Sequence, residues 1–271
     1  MIHSDVKTLL GLPEYAVDEY NITAMISYWP IIERLLKLFS PKAICEIGSE
    51  RGLTTEKLLA YATEFGITLH SVDPSLDTRF KQTDYFAPHR VTSKEFLELG
   101  NEISFYLLDG DHNYSTVALE LAACERNVNP GEPACILLHD VSWPWAFRDL
   151  YYSPTRVTNP KAHSYSTAIH LEDHEFSRSG FPNGNSYAMA NEYGGPKNGV
   201  LQAVTDFIRN RRDWNYFQIP SLYGLGILTR TSGLSSEKRD EFNLLIDTLR
   251  WLSPFLSILE GNRLRLLQGL N

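Results

Sequence analysis

Short apolar runs alternate with amphipathic stretches through the first half of this chain, and the runs end on polar or glycine residues. Ala43 to Ile47 is apolar on both faces except for Glu46, which predicts a short buried strand. Similar runs span Thr68 to Val72, His89 to Thr92 (a short, edge-like strand), Ile103 to Leu108 and Ala134 to Leu138. Helical patterns lie between them at Leu53 to Phe65, Ser93 to Leu99 and Ser115 to Arg126. Strands alternating with helices predict an α/β fold with a mostly parallel sheet and helices on both faces.

The flanking patterns differ. Ahead of the first strand, Asn21 is placed to cap a helix through Tyr28. Pro30 then opens a turn, with Ile31, Ile32, Leu35, Leu36 and Phe39 at helical spacing. Residues 143–197 are irregular and carry Pro144, Pro154, Pro160, Pro182 and Pro196. This stretch predicts an inserted lid that shapes a substrate pocket. Its aromatics (Tyr151, Tyr152, Tyr165, Phe176, Phe181, Tyr187) suit either stacking on an acceptor or loop anchoring. His170 and His174, four apart, have no evident third ligand. A helix follows over Gly199 to Arg212, then strands at Trp214 to Ile219 and Leu222 to Leu228, joined by a turn at Pro220-Ser221. From Ser235 a helix carries Phe242, Leu245, Ile246, Leu249 and Leu252 on one stripe, with a kink or break expected at Pro254 and a second apolar run to Leu267. That run predicts either docking on its own domain or a homodimer interface. The expected organisation is an N-terminal helical segment (1–42), an α/β domain (43–230) and a C-terminal helical extension (231–271).

Chemistry gathers where strands end. Glu46-x-Gly48-x-x-x-Gly52 breaks a strand on glycine and re-enters a helix, so backbone N–H groups face a ligand approaching Ser49. A dinucleotide fingerprint would need a glycine at position 50, which is absent. Asp73, in Asp73-Pro74-Ser75, ends the second strand 21 residues after Gly52, where a carboxylate accepts ribose hydroxyls; a turn aspartate or helix cap is the plainer alternative. Thr92 and Ser93 end the third strand beside the expected adenine pocket. The fourth strand delivers Asp109-Gly110-Asp111-His112-Asn113-Tyr114, and the fifth delivers His139-Asp140.

Composition narrows the class. A net charge of −8 argues against a nucleic-acid groove. No run of 18 apolar residues suggests a membrane span, and the first residues lack a signal-peptide core. The three cysteines have apolar neighbours and no paired spacing, so buried thiols in a reducing cytoplasm are expected.

Residues 21–145 resemble the small O-methyltransferase-type family of class I S-adenosyl-L-methionine (SAM) dependent methyltransferases, through Glu46-Ile47-Gly48, Asp73, Asp109-Gly110-Asp111-His112-Asn113-Tyr114 and Leu138-His139-Asp140. The resemblance implies a Rossmann-like, seven-stranded sheet of order 3-2-1-4-5-7-6 with strand seven reversed. It implies SAM contacts at Glu46, Gly48, Ser49, Gly52, Asp73, Ser75, Thr92, Ser93, Asp109, Asp111 and His112. It also implies O-methylation of a small sugar-like or phenolic acceptor, with His139, Asp109 and His112 as catalytic candidates. Related enzymes hold magnesium on acids after strands four and five, which maps here to Asp109, His139 and Asp140. His139 departs from that pattern because magnesium prefers oxygen. Either a softer divalent ion binds, or His139 is the general base and no metal is needed. An NAD(P)-dependent oxidoreductase and a non-catalytic oligomerisation module are the competing expectations.

Overall fold

The computed structural model describes residues 25–49, 51–152, 163–166 and 188–267. Seven strands form the central sheet: β1 (Ala43–Ile47), β2 (Thr68–Val72), β3 (Phe86–His89), β4 (Phe105–Leu108), β5 (Ala134–His139), β9 (Asn215–Ile219) and β10 (Leu225–Arg230). Their order is β3-β2-β1-β4-β5-β10-β9, and β10 runs antiparallel to both neighbours. Counted within the sheet alone this is 3-2-1-4-5-7-6, the expected order. Between β5 and β9, the short strands β6 (Leu150–Tyr151), β7 (Tyr165–Ser166) and β8 (Ala188–Ala190) make a separate three-stranded sheet, so the described part of the insertion is ordered by backbone pairing. His170, His174, Phe176, Phe181 and Tyr187 lie outside the described residues, as does Asn21.

Side chains alternate across the sheet, and each face builds one core. Cys45, Tyr106, Ile136 and Leu138 point to the face covered by α4 (Tyr114–Asn127) and α5 (Val200–Ile208). Ile44, Leu69, Phe105, Leu107 and Leu137 point to the face covered by α1 (Trp29–Phe39), α2 (Leu53–Phe65) and α6 (Ser236–Leu267). All three cysteines are buried free thiols.

Several boundaries differ from the pattern. The edge strand is Phe86–His89 rather than 89–92, because Leu69 to Val72 pair with Phe86 to His89 and an edge tolerates Pro88. The next helix, α3 (Ser93–Leu97), is capped by Thr92, which accepts from the Glu95 N–H while the Glu95 carboxylate accepts from the Thr92 N–H, a complete capping box. The β9–β10 connection is longer than a tight turn and places Leu222, Tyr223 and Gly224 at φ +47°, +64° and +90°. α6 runs unbroken from Ser236 to Leu267 with Pro254 inside it. Proline removes one intrahelical hydrogen bond, but buried Phe242, Ile246 and Leu249 before it and Leu264 after it anchor both halves. Leu244, Trp251, Phe255, Ile258 and Leu266 of this helix stay exposed. No helix among the described residues is long and apolar enough to cross a membrane.

Candidate active site

The carboxyl edge of the sheet is assembled by β1, β2, β4 and β5. After β1 the chain passes directly against the β4 exit. Gly48 sits at φ +84°, and a Cβ there would lie 2.3 Å from the Asp109 carbonyl oxygen. Glycine is required on both counts. Gly52, at φ +79°, is the N-cap of α2, which has no side-chain cap. The N-terminal amides of α2 are therefore directed at this edge without a capping side chain of the chain's own.

Glu46 is an interior anchor. It is buried, and its Oε2 accepts from Thr55 Oγ1 (2.6 Å) on α2 and Ser71 Oγ (3.0 Å) on β2. Burial pushes its carboxyl up to about 7, against the pull of these hydroxyls. It thus fastens the glycine turn from behind. Asp73, at the end of β2, faces outward. Its Oδ2 accepts from the Ser49 N–H (3.0 Å) and its Oδ1 from the Ser75 N–H (2.7 Å). These two contacts hold the carboxylate across the glycine turn.

Two imidazoles and two carboxylates close the other end of the edge. His112 Nε2 lies 2.7 Å from Asp140 Oδ2 and 3.4 Å from Asp109 Oδ1. His139 Nδ1 lies 3.1 Å from Asp109 Oδ1 and 3.4 Å from Asp140 Oδ2. Asp140, the residue just past β5, adopts φ +60°, a left-handed conformation that is strained for an aspartate and is sustained where the surroundings over-determine it. Burial disfavours charge on both rings, yet Asp109 and Asp140 outweigh it. His112 is raised to about 10 and His139 well above its usual value. The same imidazoles hold Asp140 below the ordinary carboxylate range, against the opposing effect of burial. Asp109 is the most open member, with its side chain 24% exposed against 3% for His139. Ligand atoms of Asp109, His112 and Asp140 lie within 4.8 Å of one another, a donor set that suits a divalent cation.

Remote segments orient this cluster. The His139 Nε2–H donates to the Leu222 carbonyl (3.0 Å), which fixes the ring with Nδ1 toward the aspartates. The Leu222 and Tyr223 amides donate to Glu260 on α6 (both 2.9 Å), and Glu260 pairs with Arg263. The Tyr28 hydroxyl donates to the Ser221 carbonyl, and its ring meets His139 edge-on. On the other side, Asp149 Oδ1 accepts from the Tyr114 and Gly199 amides (2.7 Å each), tying the insertion to the start of α4. Sequence reasoning missed Tyr28, Asp149, Leu222 and Glu260. Glu260 lies 38 residues from Leu222 along the chain, and no local pattern announces the contact.

Among the predicted contacts, Gly48, Ser49, Gly52, Asp73, Ser75, Asp109 and His112 lie along this edge, whereas Glu46 is turned inward onto Thr55 and Ser71. Asp111 instead accepts from Thr116 Oγ1 (3.2 Å) in the first turn of α4. The Thr92 hydroxyl is engaged by Glu95 (2.7 Å) in the cap of α3, and the Ser93 side chain hydrogen-bonds buried Glu120.

No family model and no curated protein matches this chain. Among solved structures, the chain is similar to an O-methyltransferase from Bacillus cereus in complex with S-adenosylhomocysteine (SAH), at 12% identity, covering 83% of this chain and 87% of that one, TM-score 0.43. It is also similar to the SAH-bound methyltransferase PaMTH1 of Podospora anserina, at 13% identity, 84% and 88% coverage, TM-score 0.47. The mycinamycin-pathway methyltransferase MycE, in complex with Mg and SAH, aligns at 14% identity over 51% of this chain and 36% of its own, TM-score 0.37.

Proposed function

We propose that this chain binds SAM along the carboxyl edge of its sheet and transfers the methyl group to a hydroxyl of a small molecule. The observation that carries the reading is the pairing of an outward carboxylate, Asp73, with the uncapped glycine turn it touches at Ser49. Asp73 suits the two ribose hydroxyls, and the glycine backbone of the turn allows the amino-acid tail of the cofactor to approach closely. SAM carries a methyl on a sulfonium, ready for in-line displacement. The chain need only orient an acceptor beside it and exclude water.

The acceptor would enter from the side of Asp109 and the insertion. Tyr152 and Tyr165 are half exposed there and suit a sugar or phenolic ring. The acceptor proton goes to Asp109 in this reading. The two aspartates raise both His139 and His112, against the effect of burial, which disfavours either ring as the acceptor of that proton. Binding of a divalent ion at Asp109, His112 and Asp140 would require the His112 proton to leave, and the ion would then lower the pKa of an acceptor hydroxyl.

Transfer of labelled methyl from SAM to a panel of sugar and phenol acceptors tests the reading. Asp109→Asn is expected to lower turnover roughly 10²–10⁴-fold, the range for a missing general base, with the transfer otherwise detectable in the unmodified chain. Undiminished turnover in Asp109→Asn would remove Asp109 from that role. Failure to transfer methyl to any alcohol, with SAM bound, would move the acceptor to another chemical class.

A further inference from the structure

Helix α6 is apolar on two opposite sides. Phe242, Ile246, Leu249 and Leu264 are buried on the chain's own domain. A second stripe faces away from it: Leu244, Trp251, Phe255, Ile258, Leu259 and Leu266 are exposed, Trp251 by 80%. Leu244, Trp251 and Ile258 recur at a spacing of seven residues. At about 3.6 residues per turn, the whole stripe falls within about 100° of the helix circumference. These residues expose roughly 700 Å², close to the ~800 Å² that each partner contributes to an interface of standard size. A contiguous apolar patch this large marks a contact surface.

Charge placement selects the occupant. From Trp251 to Asn262 the chain carries one charged residue, Glu260, which is turned inward onto the Leu222 and Tyr223 amides. Asp247 and Arg265 border the outward stripe on the same side, 18 residues apart. Asp247 pairs with Arg250 of its own helix, whereas Arg265 has no ion pair among the described residues. Their midpoint along the chain is Leu256, at the middle of the uncharged span. A two-fold axis crossing the helix there lays the stripe on an identical one running the opposite way. It also sets Asp247 of each copy opposite Arg265 of the other. The same operation brings Trp251, the bulkiest member of the stripe, to the level of exposed Gly261, where the space a Cβ would take is open.

We propose that the outward stripe of α6 is the seat of a second copy of this chain, packed antiparallel, helix on helix, about a two-fold axis near Leu256. The contact is self-complementary and therefore closes at two copies. A lipid surface or an unrelated protein gives no reason for opposite charges placed evenly about one point. The stripe lies on the side of the helix opposite Glu260, so the proposal is independent of the methyl-transfer reading.

Sedimentation equilibrium of the full-length protein tests this. At about 10 μM, above the weakest affinities usual for an interface of this area, the mass is expected at twice the 30.9 kDa of the chain. Trp251→Glu and Phe255→Glu put charge into the apolar contact and should each give a monomer that keeps a cooperative thermal transition. Arg265→Asp should weaken the dimer about 10-fold through two like-charge contacts, and adding Asp247→Arg should restore it. If an apolar variant fails to fold, the charge exchange, which leaves every apolar side chain in place, still decides. A monomer at every concentration, including one that sediments with anionic vesicles, would overturn the proposal. A dimer untouched by Trp251→Glu and Phe255→Glu would place the contact elsewhere, and one that Asp247→Arg fails to restore would overturn the antiparallel arrangement. SAH binding, measured on the same samples, reports on the cofactor reading alone.

Discussion

Gly48 concentrates two constraints in one residue, a left-handed backbone and contact with the Asp109 carbonyl. Gly48→Ala therefore does more than add strain of roughly 1–3 kcal/mol. It must push β1 from β4 at the point where the edge is assembled. Its denaturation midpoint is expected to fall, with SAH affinity falling further than stability alone explains. Unchanged affinity would mean that the glycine turn does not face the ligand. The glycines and Asp73 were legible in the sequence because each follows an apolar strand at once, so their place on the edge was fixed by the strand itself. The inward role of Glu46 was not legible. Its partners Thr55 and Ser71 come from α2 and β2, and only the folded sheet brings them to one carboxylate.

Elements differ in how far local chemistry determined them. The strands and helices from β1 to β5, the edge strand β3 apart, follow their apolar periodicity closely, since each buries a face in one of two cores. The start of α3 rests on a local signal, Thr92 placed three residues ahead of Glu95 as its cap. Thr92→Ala is expected to cost about 0.5–2 kcal/mol by denaturant unfolding, while Ser93→Ala should leave the cap intact; equal effects would contradict the assignment. The β9–β10 loop and α6 were least legible. Leu222 and Tyr223 adopt left-handed backbones that such residues rarely choose, and they do so because Glu260 binds their amides. Proline propensity likewise yields at Pro254 to packing on both sides. Glu260→Ala leaves two amides without their acceptor and Arg263 without its partner. A loss of about 1–3 kcal/mol in denaturant unfolding is expected, and an unchanged midpoint would mean that Glu260 does not hold this loop.

At the scale of the molecule, buried titratable groups set the response to pH. Glu46 and Glu120 are raised by burial to about 7 and about 8, so the folded chain holds protons that the unfolded chain releases. His112 and His139 are raised as well, by the aspartates against the effect of burial. For a raised group, stability is fully present below the unfolded pKa and is lost as pH rises through the folded one. His70 has the opposite sign. Burial and then the facing His89 lower it to about 4, so its contribution is complete above 6.5 and is lost on acidification. His89 is lowered by burial too, and above about pH 7.5 both rings are neutral in either state, so the raised groups act together. Stability is expected to fall from pH 7.5 to 8.5, by on the order of 1 kcal/mol per pH unit, and Glu120→Gln should flatten the slope. A denaturant midpoint that rises over this interval would contradict it.

The claim that unites these scales is that the glycine turn and Asp73 hold SAM. Isothermal calorimetry with SAH, in the presence of a chelator, measures it most directly. One equivalent should bind without added metal, and Asp73→Ala should weaken it about 10–100-fold, the loss expected for hydrogen bonds to a charged group. No heat with either SAM or SAH, with or without divalent ions, would contradict the account, and the edge would then belong to a different ligand.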